Sequence, residues 1–136
     1  MPASASLGIS SASTYYTFVD SGAFTLTYSS VAHADERGIQ LTGSAAISMS
    51  SSSFDFAGSG ASSTSTYITA NSLTSNTTFY GMTFNNSASL GTFANYNVWA
   101  STETNLRWYF SGWSGARGGS SYEKEDPAVD QVLWGP

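Results

Sequence analysis

Cysteine is missing from this 136-residue chain, which excludes a disulfide framework and any thiolate chemistry. Charge is scarce as well. Only 10% of the residues are charged, against roughly 25% in an average soluble domain. Four basic side chains and a net charge of −5 leave little from which to build a phosphate-binding surface, so no nucleic-acid partner is expected. No apolar run approaches the ~18 residues of a membrane helix, and no membrane insertion is expected. Met1-Pro-Ala-Ser-Ala-Ser6 has neither the basic start nor the apolar stretch of a secretion signal. The chain therefore reads as mature, as part of something longer, or as a protein assembled inside the cell. No window places apolar residues at i, i+3, i+4 and i+7 through three turns, so no helix is expected either.

What is present is hydroxyl and aromatic. About three residues in ten are Ser or Thr and 15% are aromatic, a composition that suits pleated surfaces. Strand character runs from Tyr15 to Val19 and from Phe24 to Tyr28, with Asp20-Ser-Gly22 as a turn between them. In Phe24-Thr-Leu-Thr-Tyr28 the apolar residues alternate strictly with threonine, the mark of a half-buried strand. Val31 to Gly38 reads as a charged loop. Short alternating segments resume at Ile39 and Leu41, Ile47 and Met49, Phe54-Asp-Phe56, Tyr67-Ile68, and Met82-Thr-Phe84. The richest apolar stretch is Leu106-Arg-Trp-Tyr-Phe-Ser-Gly-Trp113, followed by glycines, an acidic cluster and Val132-Leu-Trp134.

Three apolar columns stay roughly in step: Leu26, Met49, Leu73 and Val98; Val31, Phe56, Phe84 and Phe110; Leu41, Ile68 and Phe93. Their period of about 23–28 residues points to a repeat architecture. The expected fold is all-β, a single-domain parallel β-solenoid of about four to five turns with three strands each. Residues 1–13 form an extended lead-in, 14–136 the solenoid domain, and 106–136 its aromatic C-terminal cap. A β-sandwich or jelly roll is the alternative, because it also produces short strands punctuated by turns.

The spacing, together with the closing Trp113-Ser-Gly, Gly118-Gly119, Asp130 and Leu133-Trp134, resembles the ends of right-handed parallel β-helix repeats over residues 24–134. Such repeats occur in bacterial surface proteins and in phage fibres and tailspikes. The resemblance implies one of three roles: polysaccharide lyase or hydrolase, adhesin, or structural fibre.

The catalytic candidates are thin. Asp55, Glu103 and Arg107 fall on adjacent turns of the expected register, yet isolated outward charges that keep the surface soluble explain them as well. His33 and Asp35 resemble a base and its orienter, but the chain has a single histidine and no Gly-x-Ser-x-Gly elbow, so a solvated loop histidine is the better reading. Glu123, Glu125, Asp126 and Asp130 have the oxygen chemistry for calcium without the spacing of a calcium loop; a solvated acidic loop paired with Lys124 and Arg117 is preferred. Gly58-Ser-Gly60 and the glycines at 112, 115, 118 and 119 read as turns. Asn76-Thr-Thr and Asn85-Asn-Ser match a glycosylation acceptor pattern that so Ser- and Asn-rich a chain produces by chance. No catalytic residue, metal site or cofactor is expected, and the chain is read as not an enzyme.

Aromatic side chains are the stronger signal. Tyr15, Tyr16, Tyr80, Trp99, Tyr109 and Trp113 fall where alternation points outward or onto strand ends. Of these Tyr80, Trp99 and Tyr109 are candidates for contacting a glycan, which wants a flat apolar face beside neutral hydrogen-bonding groups. Threonine and serine at 25, 27, 48 and 50 are in step as a short hydroxyl ladder of the kind that would order ice. A solenoid also has two open ends to cap or join. Trp108, Tyr109, Trp113, Leu133 and Trp134 are the candidates for that interface, with Leu106, Trp108 and Phe110 pointing inward along the last full strand. The expected function is a non-enzymatic structural or adhesive module that self-associates end to end, as a homo-oligomer or filament, in an extracellular filament, a cell-surface protein or a virion. A carbohydrate-binding or polysaccharide-processing β-helix is the alternative.

Overall fold

The computed structural model of the chain describes residues 5–7, 15–55, 65–73, 76–87, 96–101, 107–126 and 131–136. Among these the strands are β1 (Ala5–Leu7), β2 (Tyr15–Val19), β3 (Ala23–Thr27), β4 (Ser29–Ala32), β5 (Ala34–Thr42), β6 (Ala46–Ser50), β7 (Ser53–Asp55), β8 (Thr66–Asn71), β9 (Thr77–Tyr80), β10 (Thr83–Phe84), β11 (Tyr96–Ser101), β12 (Trp108–Ser111), β13 (Lys124–Asp126) and β14 (Val132–Gly135). One 3-10 turn, Ser120–Tyr122, precedes β13.

From β1 to β12 every third strand belongs to the same sheet, and β13 and β14 each follow by a step of two. Sheet A runs β1-β4-β7-β10, sheet B β2-β5-β8-β11-β13, and sheet C β3-β6-β9-β12-β14. All the pairings are parallel. That removes the sandwich and jelly roll, whose sheets are antiparallel, and makes the fold an all-β parallel, solenoid-like stack. An isolated bridge between Thr83 and Ser114 adds a further rung to sheet A.

The inward columns differ from those expected. In sheet A the column is Val31, Phe54 and Phe84, so Phe54 stands where Phe56 was expected, and Phe110 lies on another sheet. In sheet B, Ile39, Ile68 and Val98 stack in one column and Leu41, Ala70 and Ala100 in the next. Leu41 and Ile68 therefore share a face but not a column, and Phe93 lies outside the described residues. In sheet C, Leu26 does pair with Met49, but Phe79, Phe110 and Trp134 continue that sheet. Leu73 is buried beyond the end of β8, and Val98 belongs to sheet B.

Corner lengths explain these shifts. The corner from sheet C to sheet A is a single left-handed residue at each level: Tyr28 (φ 49°), then Ser51 (φ 48°), Gly81 (φ 63°) and Gly112 (φ 63°). The first three donate their N–H to the next strand of sheet C, Tyr28 to Ser50 O at 3.3 Å, Ser51 to Tyr80 O at 2.7 Å and Gly81 to Ser111 O at 2.9 Å. The corner from sheet A to sheet B is not constant. His33 alone spans it between β4 and β5, whereas residues 56–65 span it between β7 and β8 and residues 85–95 between β10 and β11. Ser30 and Ser53 are consequently paired 23 residues apart, Thr83 and Ser114 31 apart.

Two expected loops are strands. Val31 is the buried residue of β4, and Ala34 opens β5. The charged Asp35–Arg37 segment is accommodated as a bulge, with Tyr15 opposite Ala34 but Thr17 already opposite Ile39. Asp35 Oδ1 accepts the Arg37 N–H at 3.0 Å. Gly38 lies so close to the Tyr67 carbonyl that a Cβ would overlap it. The acidic segment is likewise not a solvated loop, since Lys124–Asp126 extends sheet B as β13. Nor is β12 the last strand of its sheet, because β14 stacks beyond it.

Candidate functional surfaces at the aromatic end

Alternation in β12 sends Trp108 and Phe110 into the core, both fully buried, while Tyr109 points out. Leu106 lies outside the described residues. The Trp108 ring meets Phe79 edge-on at 5.0 Å, and Phe110 stacks on Trp134 at 4.4 Å with 14° between planes. Phe84 of sheet A approaches Trp134 at 5.7 Å, so the aromatic columns of sheets A and C meet at this end. Trp134 is half-buried, and its indole N–H donates to Glu123 Oε2.

Trp113 follows the corner residue Gly112 and is partly exposed. Its ring stands edge-on to Trp134 at 5.7 Å. Gly118 and Gly119 run so close beneath it that a Cβ at either would overlap the ring, which is the reason for glycine there. Asn97, buried at the start of β11, pins the same loop by donating from Nδ2 to the carbonyls of Arg117 and Gly119, both at 2.8 Å. The Arg117 guanidinium lies over the Tyr122 ring at 4.8 Å. Asn97 was not singled out in the sequence, and Glu123 and Glu125 were weighed there only as oxygen ligands for calcium. Polar side chains that serve distant backbone carry no local pattern.

The acidic cluster is occupied by the fold. Glu125 Oε1 accepts the N–H groups of Gln131 and Val132 at 2.8 and 2.6 Å, tying β13 to the start of β14. Lys124 sits 4.0 Å over the Trp99 ring and 5.8 Å from that of Tyr96. The two cations expected beside the acids, Lys124 and Arg117, both lie over aromatic rings. Among the described residues no three His, Cys, Asp or Glu side chains group to hold a metal; Asp130 lies outside them.

The remaining candidates are dispersed. Asp55 ends β7, where Oδ1 accepts the Ser87 N–H at 2.9 Å. Arg107 is exposed at the start of β12, on a different sheet, and Glu103 lies outside the described residues. His33 forms the one-residue corner between β4 and β5 in the left-handed region (φ 62°). Asn76 and Ser87 are exposed, while Gly58–Gly60 and the side chains of Tyr15 and Tyr16 lie outside the described residues. Of the three glycan candidates, Tyr80 (61% exposed) and Tyr109 (37%) share the outer face of sheet C on adjacent strands. Trp99 is on sheet B under Lys124, so it does not join them. Leu133 is 39% exposed directly beside Tyr109. The hydroxyl ladder is real over one step, Thr25 beside Ser48 and Thr27 beside Ser50, and then meets Tyr80.

Comparison of the chain with protein-family models, with curated proteins and with solved structures finds no match.

Proposed function

We propose that the chain is a non-enzymatic structural module, akin to right-handed parallel β-helix repeats, that joins to copies of itself end to end in an extracellular filament, a surface protein or a virion. The observation that carries this reading is the pair of edge strands that sheet C has among the described residues. Strands β3 and β14 lie at opposite edges of that sheet, and neither Ala23–Thr27 nor Val132–Gly135 contains a charged residue. Natural proteins blunt exposed edges with charge, above all lysine. Sheet B does so at its β13 edge with Lys124, Glu125 and Asp126; sheet C does not.

The columns also continue across such a joint. Placing β3 of one copy after β14 of another sets Phe24 against Val132 and Leu26 against Trp134, apolar on apolar, with Thr25 outward beside Leu133. This is the pairing that β3 already makes with β6, where Phe24 meets Ile47 and Leu26 meets Met49. A head-to-tail contact of this kind does not close on itself and builds a filament. Analytical ultracentrifugation tests it. The wild type should sediment as a concentration-dependent series, and a Thr25→Lys, Thr27→Lys variant should sediment as a monomer with an unchanged melting temperature. A wild type that stays monomeric at the highest soluble concentration removes the proposal.

A further inference from the structure

The outer face of sheet C carries a second feature. Tyr80 pairs along the sheet with Ser50 on one side and Ser111 on the other, and Tyr109 pairs with Thr78 and Leu133. Because Tyr109 is opposite Thr78, two positions before Tyr80, the two rings are diagonal neighbours on one flat face, about 8 Å apart at their bases. The Tyr109 ring is laid across β14. A Cβ on Gly135 would overlap its hydroxyl and outer ring atoms, so the missing side chain at 135 is what lets the ring lie there. Backbone conformation does not demand glycine at 135, which is absent from the residues with positive φ. Among the described residues the other exposed aromatics, Phe18, Tyr28 and Trp113, stand on sheet B, at the first corner and after the corner residue Gly112.

We propose that Tyr80 and Tyr109 form a binding site for a neutral polysaccharide, with the two rings as stacking platforms for sugar faces and the hydroxyls of Thr78 and Ser111 as hydrogen-bonding partners. Three properties of the face select this ligand. No charged residue occurs in any of the five strands of sheet C, and Arg107 ahead of β12 is the nearest charge in sequence, so a polyanion or polycation finds no array to pair with. Aromatic faces flanked by neutral hydroxyls offer what a sugar ring presents in return, an apolar C–H face bordered by hydroxyls. The area is also wrong for a protein partner. With the ~150–250 Å² that an aromatic side chain can bury, exposures of 61% and 37% amount to about 200 Å², whereas a stable protein interface takes roughly 800 Å² from each side. The site lies on a lateral face, so it stands or falls independently of the end-to-end joint.

Retention of the full chain on microcrystalline cellulose, on chitin and on a gel of neutral mixed-linkage glucan tests the site, with sedimentation run in parallel. The wild type should be retained on at least one. Tyr80→Ala and Tyr109→Ala should each weaken retention about tenfold or more, and Phe18→Ala should not. Gly135→Ala is the decisive variant: it keeps both tyrosines and the backbone but displaces the Tyr109 ring, and it should weaken retention with little change in melting temperature. No retention of the wild type on any of the three polymers overturns the proposal. So does retention unaffected by Tyr80→Ala, or self-association abolished by Tyr80→Ala, which would make the face a protein contact. A joint variant such as Thr25→Lys, Thr27→Lys should still be retained, separating this site from the assembly reading.

Discussion

Trp108 and Trp113 illustrate how much a single position decides. Both are tryptophans of the aromatic end, yet Trp108 is fully buried against Phe79 and Trp113, edge-on to Trp134, is 37% exposed. Truncating a fully buried tryptophan costs about 3–5 kcal/mol, so Trp108→Ala should lower the melting temperature steeply. Trp113→Ala should lower it much less, and equal losses would mean that Trp113 supports the core as Trp108 does. Trp108 also has a weakness: its indole N–H is buried with no hydrogen-bond partner among the described residues. Glu125 is the opposite case. It satisfies two backbone donors of the last rung, and Glu125→Ala should strip roughly 1–3 kcal/mol from that rung by leaving them unpaired. Faster hydrogen exchange at Gln131 and Val132 than at β8 would report it.

At the scale of elements, the corner from sheet C to sheet A is the conserved geometry of the stack. It needs a left-handed residue at each level and gets tyrosine, serine, glycine and glycine. A non-glycine residue held there is strained by about 1–2 kcal/mol. Ser51→Gly should therefore stabilise the chain, by less than that figure because glycine also frees the unfolded state. Gly81→Ala should destabilise it through φ alone, since the nearest atoms to an added Cβ are an unstrained 3.6 Å away at Ser51. Denaturant melts of the two variants, moving in opposite directions, check the argument. The strands themselves were legible in the sequence wherever one face is solvated, as in Phe24 to Thr27. Alternation failed at β8, where Thr66 to Ala70 are all buried, because a strand covered on both faces has no polar side to show.

For the whole molecule, the sparse charge that marked the composition has a physical consequence. If copies join through uncharged strand edges and apolar columns, salt has little to screen. Sedimentation should be nearly unchanged between about 0.1 M and 1 M salt, over which the screening length falls from ~10 Å to ~3 Å. Dissociation by salt would point instead to the Lys124–Asp126 edge of sheet B. The stack is also held by contacts between distant residues, each strand pairing with one about a rung away. Such topology gains nothing from local structure, and its folding should be correspondingly slow.

The division between sequence and structure follows from range. Composition and alternation are local quantities, and they sufficed for an all-β chain, for a repeat with three strands to a rung, for the inward turn of Trp108 and Phe110, and for the outward turn of Tyr80 and Tyr109. Which residues stack on which is not local. It depends on the length of every corner, and corners from sheet A to sheet B range from His33 alone to residues 85–95. One assumed period therefore placed Leu26 correctly over Met49 and lost the register at the next step. The functional surfaces depend on that register. Tertiary structure alone brought Tyr80 and Tyr109 onto one face, set Trp99 apart beneath Lys124, drew Glu123 and Glu125 into the aromatic end, and left the edges of sheet C uncharged at both extremities.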